Sequence, residues 1–168
     1  QTLFRAGVSS INISLDSLRK ERFQAITRVG ELNKVLSGID SAVELGFPRI
    51  RLNAVILAGL NRDEVIELLE FAIQKEIGIA FIEEMPLGQV NVGGKPLSFV
   101  PSKDLIEEIS KYYVLRPLNN KENSGPSKDF HVLGTGTSVG FISPHTDNFC
   151  STCNRLRITA EGRLLLCL

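Results

Sequence analysis

The chain has 168 residues, 43% hydrophobic and 23% charged, which supports one sizeable core and excludes wholesale disorder. Its 19 Lys and Arg balance 19 Asp and Glu, so there is no general basic field to recruit nucleic acid or an anionic membrane, and any anion site must be local. No apolar run approaches the roughly 20 residues of a spanning helix, and no signal-peptide pattern precedes Gln1.

The first strand-like run arrives at once. Ile11-Asn12-Ile13-Ser14-Leu15 alternates with period two, and Arg49 to Ile56 and Ile79 to Glu84 read the same way. Between them, residues 31–45 place Leu32, Val35, Leu36, Ile39 and Val43 at helix spacing, with Gly46 as the C-terminal stop. Residues 62–76 repeat the pattern with Val65, Ile66, Leu68, Leu69 and Ala72, opened by a capping-box-like pair, Asn61 and Glu64. Strand, helix, strand, helix, strand predicts parallel βαβ units with right-handed crossovers.

Strands buried on both faces should be apolar throughout, yet polar residues recur on one face: Asn12, Ser14 and Asp16 in the first strand, Arg49, Arg51 and Asn53 in the second. That face is expected to line a lumen. Ser14, Asn53 and Glu83-Glu84-Met85 then emerge at the carboxyl ends of the strands, where barrel-type α/β folds bind ligands. Asp16 reads as a helix cap, and Met85, the only methionine, reads from composition alone as core filling.

After Pro86 the pattern changes. Gly88 to Ser98 reads as loop, Ser102 to Tyr113 as helix, and Leu118 to Ser127 as a polar, mobile connection. Asp129 to Leu133, Val139 to Ser143, Leu156 to Thr159 and Arg163 to Leu166 predict a small antiparallel sheet, with Glu161-Gly162 turning the last hairpin. Gly134 to Gly140 has glycines but no following helix to offer phosphate its N-terminus, so it reads as a hairpin turn.

The three cysteines of the chain fall at its end, as Cys150-x2-Cys153-x13-Cys167 beside Arg155 and Arg157. A disulfide framework wants an even count and a closed zinc site a fourth ligand, whereas three thiolates on a four-iron cluster leave one iron open. A Cys3His zinc site with His145 as fourth ligand stays open, as does plain packing for Cys167 in its leucine run. Thiols without pairing partners fit a reducing compartment. The missing initiator Met and the stop one residue past Cys167 read as cuts through a longer protein.

The runs Ile11 to Leu18, Phe81-Ile82-Glu83-Glu84-Met85-Pro86, Phe149 to Arg157 and Gly162 to Leu168 resemble, in order, the GTP 3′,8-cyclase family. These are radical S-adenosylmethionine (SAM) enzymes that begin molybdenum-cofactor biosynthesis. The final block is the most specific, since a double Cys, Asn-Arg-x-Arg and a third Cys in a hairpin have little chance origin. The resemblance implies an α/β fold: residues 1–86 as the second part of an incomplete radical-SAM (β/α)6 TIM-like barrel, and residues 87–168 as a small antiparallel region carrying an auxiliary cluster.

The same resemblance implies site residues. Cys150, Cys153 and Cys167 match the ligands of a C-terminal [4Fe–4S] cluster; Arg155, Leu156 and Arg157 match a GTP-binding segment; Arg51 matches a GTP contact that is commonly Lys; Ser14 and Met85 match SAM contacts. A second [4Fe–4S] cluster, which cleaves SAM, is implied on an N-terminal part, because no cysteine precedes Cys150. GTP and SAM are the implied partners, with a cytoplasmic homodimer whose product passes to cyclic pyranopterin monophosphate synthase. Two departures stand out: Ala80 sits where many members carry Arg, and the family's Gly-Gly tail is absent. A radical-SAM peptide maturase shares the barrel and part of the cysteine logic, and a zinc-binding interaction module is the non-enzymatic alternative.

Overall fold

In the computed structural model, residues 2–85, 91–92, 95–96, 99–118, 125–147 and 157–165 are described. The element order is α1 (Thr2–Arg5), β1 (Ser10–Ser14), α2 (Lys20–Thr27), α3 (Leu32–Glu44), β2 (Arg49–Ile56), a 3₁₀ turn (Arg62–Glu64), α4 (Val65–Gln74) and β3 (Gly78–Glu83). There follow β4 (Asn91–Val92), β5 (Lys95–Pro96), α5 (Ser102–Ile109), β6 (Leu115–Pro117), β7 (Ser127–Val132), β8 (Ser138–Ile142), β9 (Arg157–Ile158) and β10 (Leu164–Leu165).

One six-stranded sheet organises these elements, in the order β1-β2-β3-β8-β7-β6. The β1–β2, β2–β3 and β3–β8 pairs are parallel, while β8–β7 and β7–β6 are antiparallel. The predicted βαβ units are therefore present, but the C-terminal strands depart from expectation. Instead of a separate small antiparallel sheet, β7 and β8 extend the parallel sheet, because the apolar Val139 and Phe141 of β8 continue the row of Ile79 and Phe81 on β3. β9 and β10 form a hairpin of their own, turned at Gly162, whose φ of 78° explains the glycine, and β4 and β5 form a second separate antiparallel pair.

Strand parity divides the two faces. Ile50, Leu52, Ala54 and Ile56 of β2 are buried with Leu32, Ile39 and Ala42 of α3, Val65, Leu68, Leu69 and Ala72 of α4, and Leu105 and Ile109 of α5. The alternate residues Arg51, Asn53 and Val55 are only partly buried. Helices thus cover one face by burying the period-two apolar set, and the polar set is left for the other.

Smaller differences follow from local chemistry. The amino end carries the short helix α1, and α2 forms after Arg19 without a side-chain cap. Its mean hydropathy is low and Phe23 is its one buried residue, so periodicity gave little signal. Helix α3 ends as predicted, with Gly46 at φ 70° donating its N–H to the Val43 carbonyl. The Gly134 to Gly140 stretch spans the β7–β8 turn, with Gly134 at φ 82°. Among the described residues, no helix is long and apolar enough to cross a membrane.

Candidate functional site

The polar face reads in register across five strands. Ser14 pairs with Asn53, Asn53 with Ala80, Ala80 with Gly140 and Gly140 with Asp129. Arg51 lies two residues before Asn53 on β2, pairing with Asn12 and Gly78. Its Nη2 donates to Asp129 Oδ1 at 2.5 Å and to Ser127 Oγ at 2.6 Å, and Ser127 Oγ donates to Asp129 Oδ1 at 2.6 Å.

This contact shows the shape of the face. With strands about 4.8 Å apart and a two-residue offset, a flat sheet separates the Arg51 and Asp129 Cα atoms by roughly 16 Å. Fully extended side chains and a hydrogen bond span roughly 13 Å. The sheet therefore curls toward its polar face, with the helices on the convex side. Two glycines make room along the way: Gly78 is the β3 partner of Arg51, and a Cβ on Gly140 would sit 1.7 Å from Arg51 Nη2.

The carboxyl ends of the strands are braced by buried polar groups. Glu83, at the end of β3 and 1% exposed, takes Ser102 N at 2.8 Å and Thr146 Oγ1 at 2.5 Å on Oε1. Its Oε2 takes the His145 and Thr146 N–H groups at 3.1 Å each. Burial alone would raise its pKa, but the Thr146 hydroxyl and the Ser102, Thr146 and His145 N–H groups outweigh it and hold Glu83 below the usual carboxylate range. The segment leading to Cys150 is thus tied to the end of β3. The His145 ring stacks on Phe99 with centroids 4.8 Å apart.

A second network joins β1 to β2. Glu64, fully buried, accepts from Ser17 Oγ at 2.8 and 2.9 Å, from Leu18 N at 2.8 Å and from Arg22 Nη1 at 2.6 Å. Asn61 accepts from Leu57 N and donates to the Asp16 and Val55 carbonyls. The predicted capping box is therefore replaced: neither Asn61 nor Glu64 caps its helix, and both serve loops instead. Asp16 is likewise no helix cap, since its Oδ1 accepts from Val55 N at 2.8 Å across the strands. Burial pushes its pKa up, and the Val55 N–H offsets this only in part.

Of the predicted site residues, Ser14 stands exposed at the carboxyl end of β1, in the row of Asn53. Met85 follows β3 and is 39% exposed, which is not the core filling that composition suggested. Arg51 lies on the concave face, tied to Asp129. Arg157 is exposed on β9. Cys150, Cys153, Cys167, Arg155 and Leu156 lie outside the described residues, as do Pro86 and most of the stretches 88–98 and 118–127. Sequence reasoning missed Asp129, Ser127 and Gly140, because only the pairing of β7 with β8 brings them to Arg51.

Arg157 pairs with Leu165 and Ile158 with Leu164, so the stretches bearing Cys153 and Cys167 both join the same open end of β9–β10.

A mostly parallel α/β sheet with a concave polar face and its braced loops at the strand carboxyl ends defines the class of fold, and residues 1–72 match the Radical SAM superfamily. Residues 77–168, more than half of the chain, match the family Molybdenum Cofactor Synthesis C, and the chain belongs to that family. It is 51% identical, over its whole length, to a GTP 3′,8-cyclase of Pseudomonas entomophila and 48% identical to one of Marinobacter nauticus. A GTP 3′,8-cyclase of Saccharophagus degradans is 45% identical over 99% of the chain. The chain spans about half the length of these curated relatives: 50%, 51% and 50%.

Proposed function

We propose that this chain is part of a radical-SAM GTP 3′,8-cyclase, converting GTP to 3′,8-cyclo-7,8-dihydro-GTP at the first step of molybdenum-cofactor biosynthesis. The observation that carries the reading is the likeness over the whole chain to proteins of that name, tiled by the two family matches. Residues 1–86 are read as the second part of a TIM-like barrel, which the curl of the sheet supports, and residues 87–168 as the region of the auxiliary cluster.

Cys150, Cys153 and Cys167 would hold that [4Fe–4S] cluster, whose open iron offers a contact to the guanine ring. Bound SAM, with a reducing cluster on residues this chain does not contain, supplies the radical chemistry. The chain's own residues bind and orient. Ser14 and Met85, at the strand carboxyl ends, face SAM; Arg51, Arg155, Leu156 and Arg157 take GTP, the arginines through charge-assisted bonds worth roughly 1.5–3 kcal/mol each. Curvature brings side chains from separate strands to one cavity, where reacting atoms are held within a few ångströms and water is kept out. The reading carries with it a cytoplasmic homodimer that hands its product to cyclic pyranopterin monophosphate synthase.

The test is metal analysis of the parent enzyme after anaerobic reconstitution with iron and sulfide. Cys150→Ala, Cys153→Ala and Cys167→Ala should each lose the iron of one cluster, keep at least part of SAM cleavage, and fail to cyclise GTP. Full GTP conversion by any of these variants, with normal iron content, rejects the reading.

A further inference from the structure

Arg51 comes from β2, Gly140 from β8, and Ser127 and Asp129 from β7, yet they converge on one point of the concave face. An added Cβ at Gly140 would lie 1.7 Å from Arg51 Nη2, 2.3 Å from Asp129 Oδ1 and 2.4 Å from Ser127 Oγ. Backbone at residue 140 therefore forms the floor on which the ion pair rests. The pair is largely enclosed, with side chains 12% and 13% exposed.

Among the described residues, the guanidinium's hydrogen bonds run through Nη2. Nη2 makes both bonds to β7, while Nε is buried without a hydrogen-bond partner among the described residues. A buried N–H without an acceptor is costly, and guanidinium groups favour two-point contacts with oxyanions. Beside it, at the amino-terminal ends of β2, β3 and β8, a cavity of about 220 Å³ is lined by Arg49, Arg51, Glu76, Gly78 and Ser138 among others. This is below the roughly 300–1,000 Å³ of pockets that take whole small molecules, and suits a group such as a phosphate.

We propose that Asp129 is an exchangeable counter-ion for Arg51, and that it sets how strongly the concave face takes the polyphosphate of a nucleotide. This deepens the reading of Arg51 as a nucleotide contact and rests on it. With Asp129 in place the pair is electrically neutral, so an incoming phosphate oxygen either displaces the carboxylate or approaches a like charge in an enclosed site. In both cases Asp129 opposes the anion. Asp129 is then a specificity-determining residue: it weakens charge-driven capture, so that recognition leans on the rest of the nucleotide.

The discriminating variant is Asp129→Asn. An Asn Oδ1 still accepts from Arg51 Nη2 and Ser127 Oγ, so geometry is kept while the charge is removed. Inorganic triphosphate is titrated calorimetrically into the full chain at low salt. D129N should bind it about tenfold more tightly than the wild type, and adding Arg51→Gln to D129N should abolish the gain. A merely structural role for Asp129 cannot produce tighter binding. Should D129N fail to fold, Asp129→Ser serves in its place with the same expected gain. Unchanged or weaker binding by the neutral variant, or no triphosphate binding by either protein, overturns the proposal. Inorganic triphosphate has no guanine and needs neither SAM nor a cluster, so failure of the cyclase reading would appear instead in the iron and turnover assays.

Discussion

Arg51 Nη2 occupies the space that a side chain on Gly140 would need, 1.7 Å from its ideal Cβ position. Gly140→Ala must therefore displace Arg51, Asp129 and Ser127 together. Overpacking costs roughly 1–3 kcal/mol and a disrupted buried pair adds to it, so a loss of about 2–5 kcal/mol is expected. Gly136→Ala is the matched control, since a Cβ there meets nothing within 4 Å. Chemical denaturation of the two variants checks this: equal stabilities would show that residue 140 has room.

Glu83 ties Ser102, His145 and Thr146 to the end of β3 through four hydrogen bonds. Its folded pKa lies below the ordinary value, so its contribution is complete at neutral pH. It is lost as pH falls through the ordinary glutamate range, about 4.3, and on through the folded pKa. Glu83→Gln should cost about 2–4 kcal/mol at pH 7. The gap from wild type should narrow toward pH 3 in thermal melts, and a gap that stays constant with pH would contradict the charge argument.

Asp16 has the opposite sign. Burial raises its folded pKa, so its contribution is present below the unfolded value near 3.9 and is lost as pH rises through the folded pKa. Asp16→Asn keeps an acceptor for the Val55 N–H. Relative to wild type, this variant should gain melting temperature between pH 4 and pH 7, and a relative loss over that interval would show that the ionised form is needed for stability.

Arg157 is exposed on the β9–β10 hairpin. Arg157→Ala should change stability by less than about 0.5 kcal/mol. GTP affinity of the reconstituted parent enzyme should fall by about 1–3 kcal/mol with iron content intact, and Lys should restore it only in part. Unchanged affinity beside an intact cluster would remove Arg157 from the nucleotide site.

Much of the parallel core was legible because period-two and helix-period patterns are local properties of residues 10–14, 32–44, 49–56 and 65–74. Polar alternation on β1 and β2 also announced the concave face. What stayed hidden depends on pairing between distant strands. Nothing near residue 139 says that β8 lies beside β3 and not in a separate sheet, and Asp129 becomes a partner of Arg51 only through that pairing. Asn61, Glu64 and Asp16 were misread because capping residues and loop-bracing residues share the same side-chain chemistry. The family resemblance is what proposes Arg51, Ser14 and Met85 as contacts; the residues alone left Ser14 and Arg51 undecided and read Met85 as core filling.

The β3–β8 pairing has a consequence for how the chain comes together. About 60 residues separate the two strands, so closing this contact carries a large loop-entropy cost and raises contact order. Until residues 138–142 are available, the outer edge of β3, an apolar strand in the middle of the finished sheet, stays unpaired and can recruit other chains. The two family matches meet just before this strand, between residues 72 and 77, but neither a cut there, after residue 76, nor one after residue 100 would yield two self-sufficient pieces. One would lack β3 or expose its edge, and the other would hold β8 without its parallel neighbour or β3 without β2.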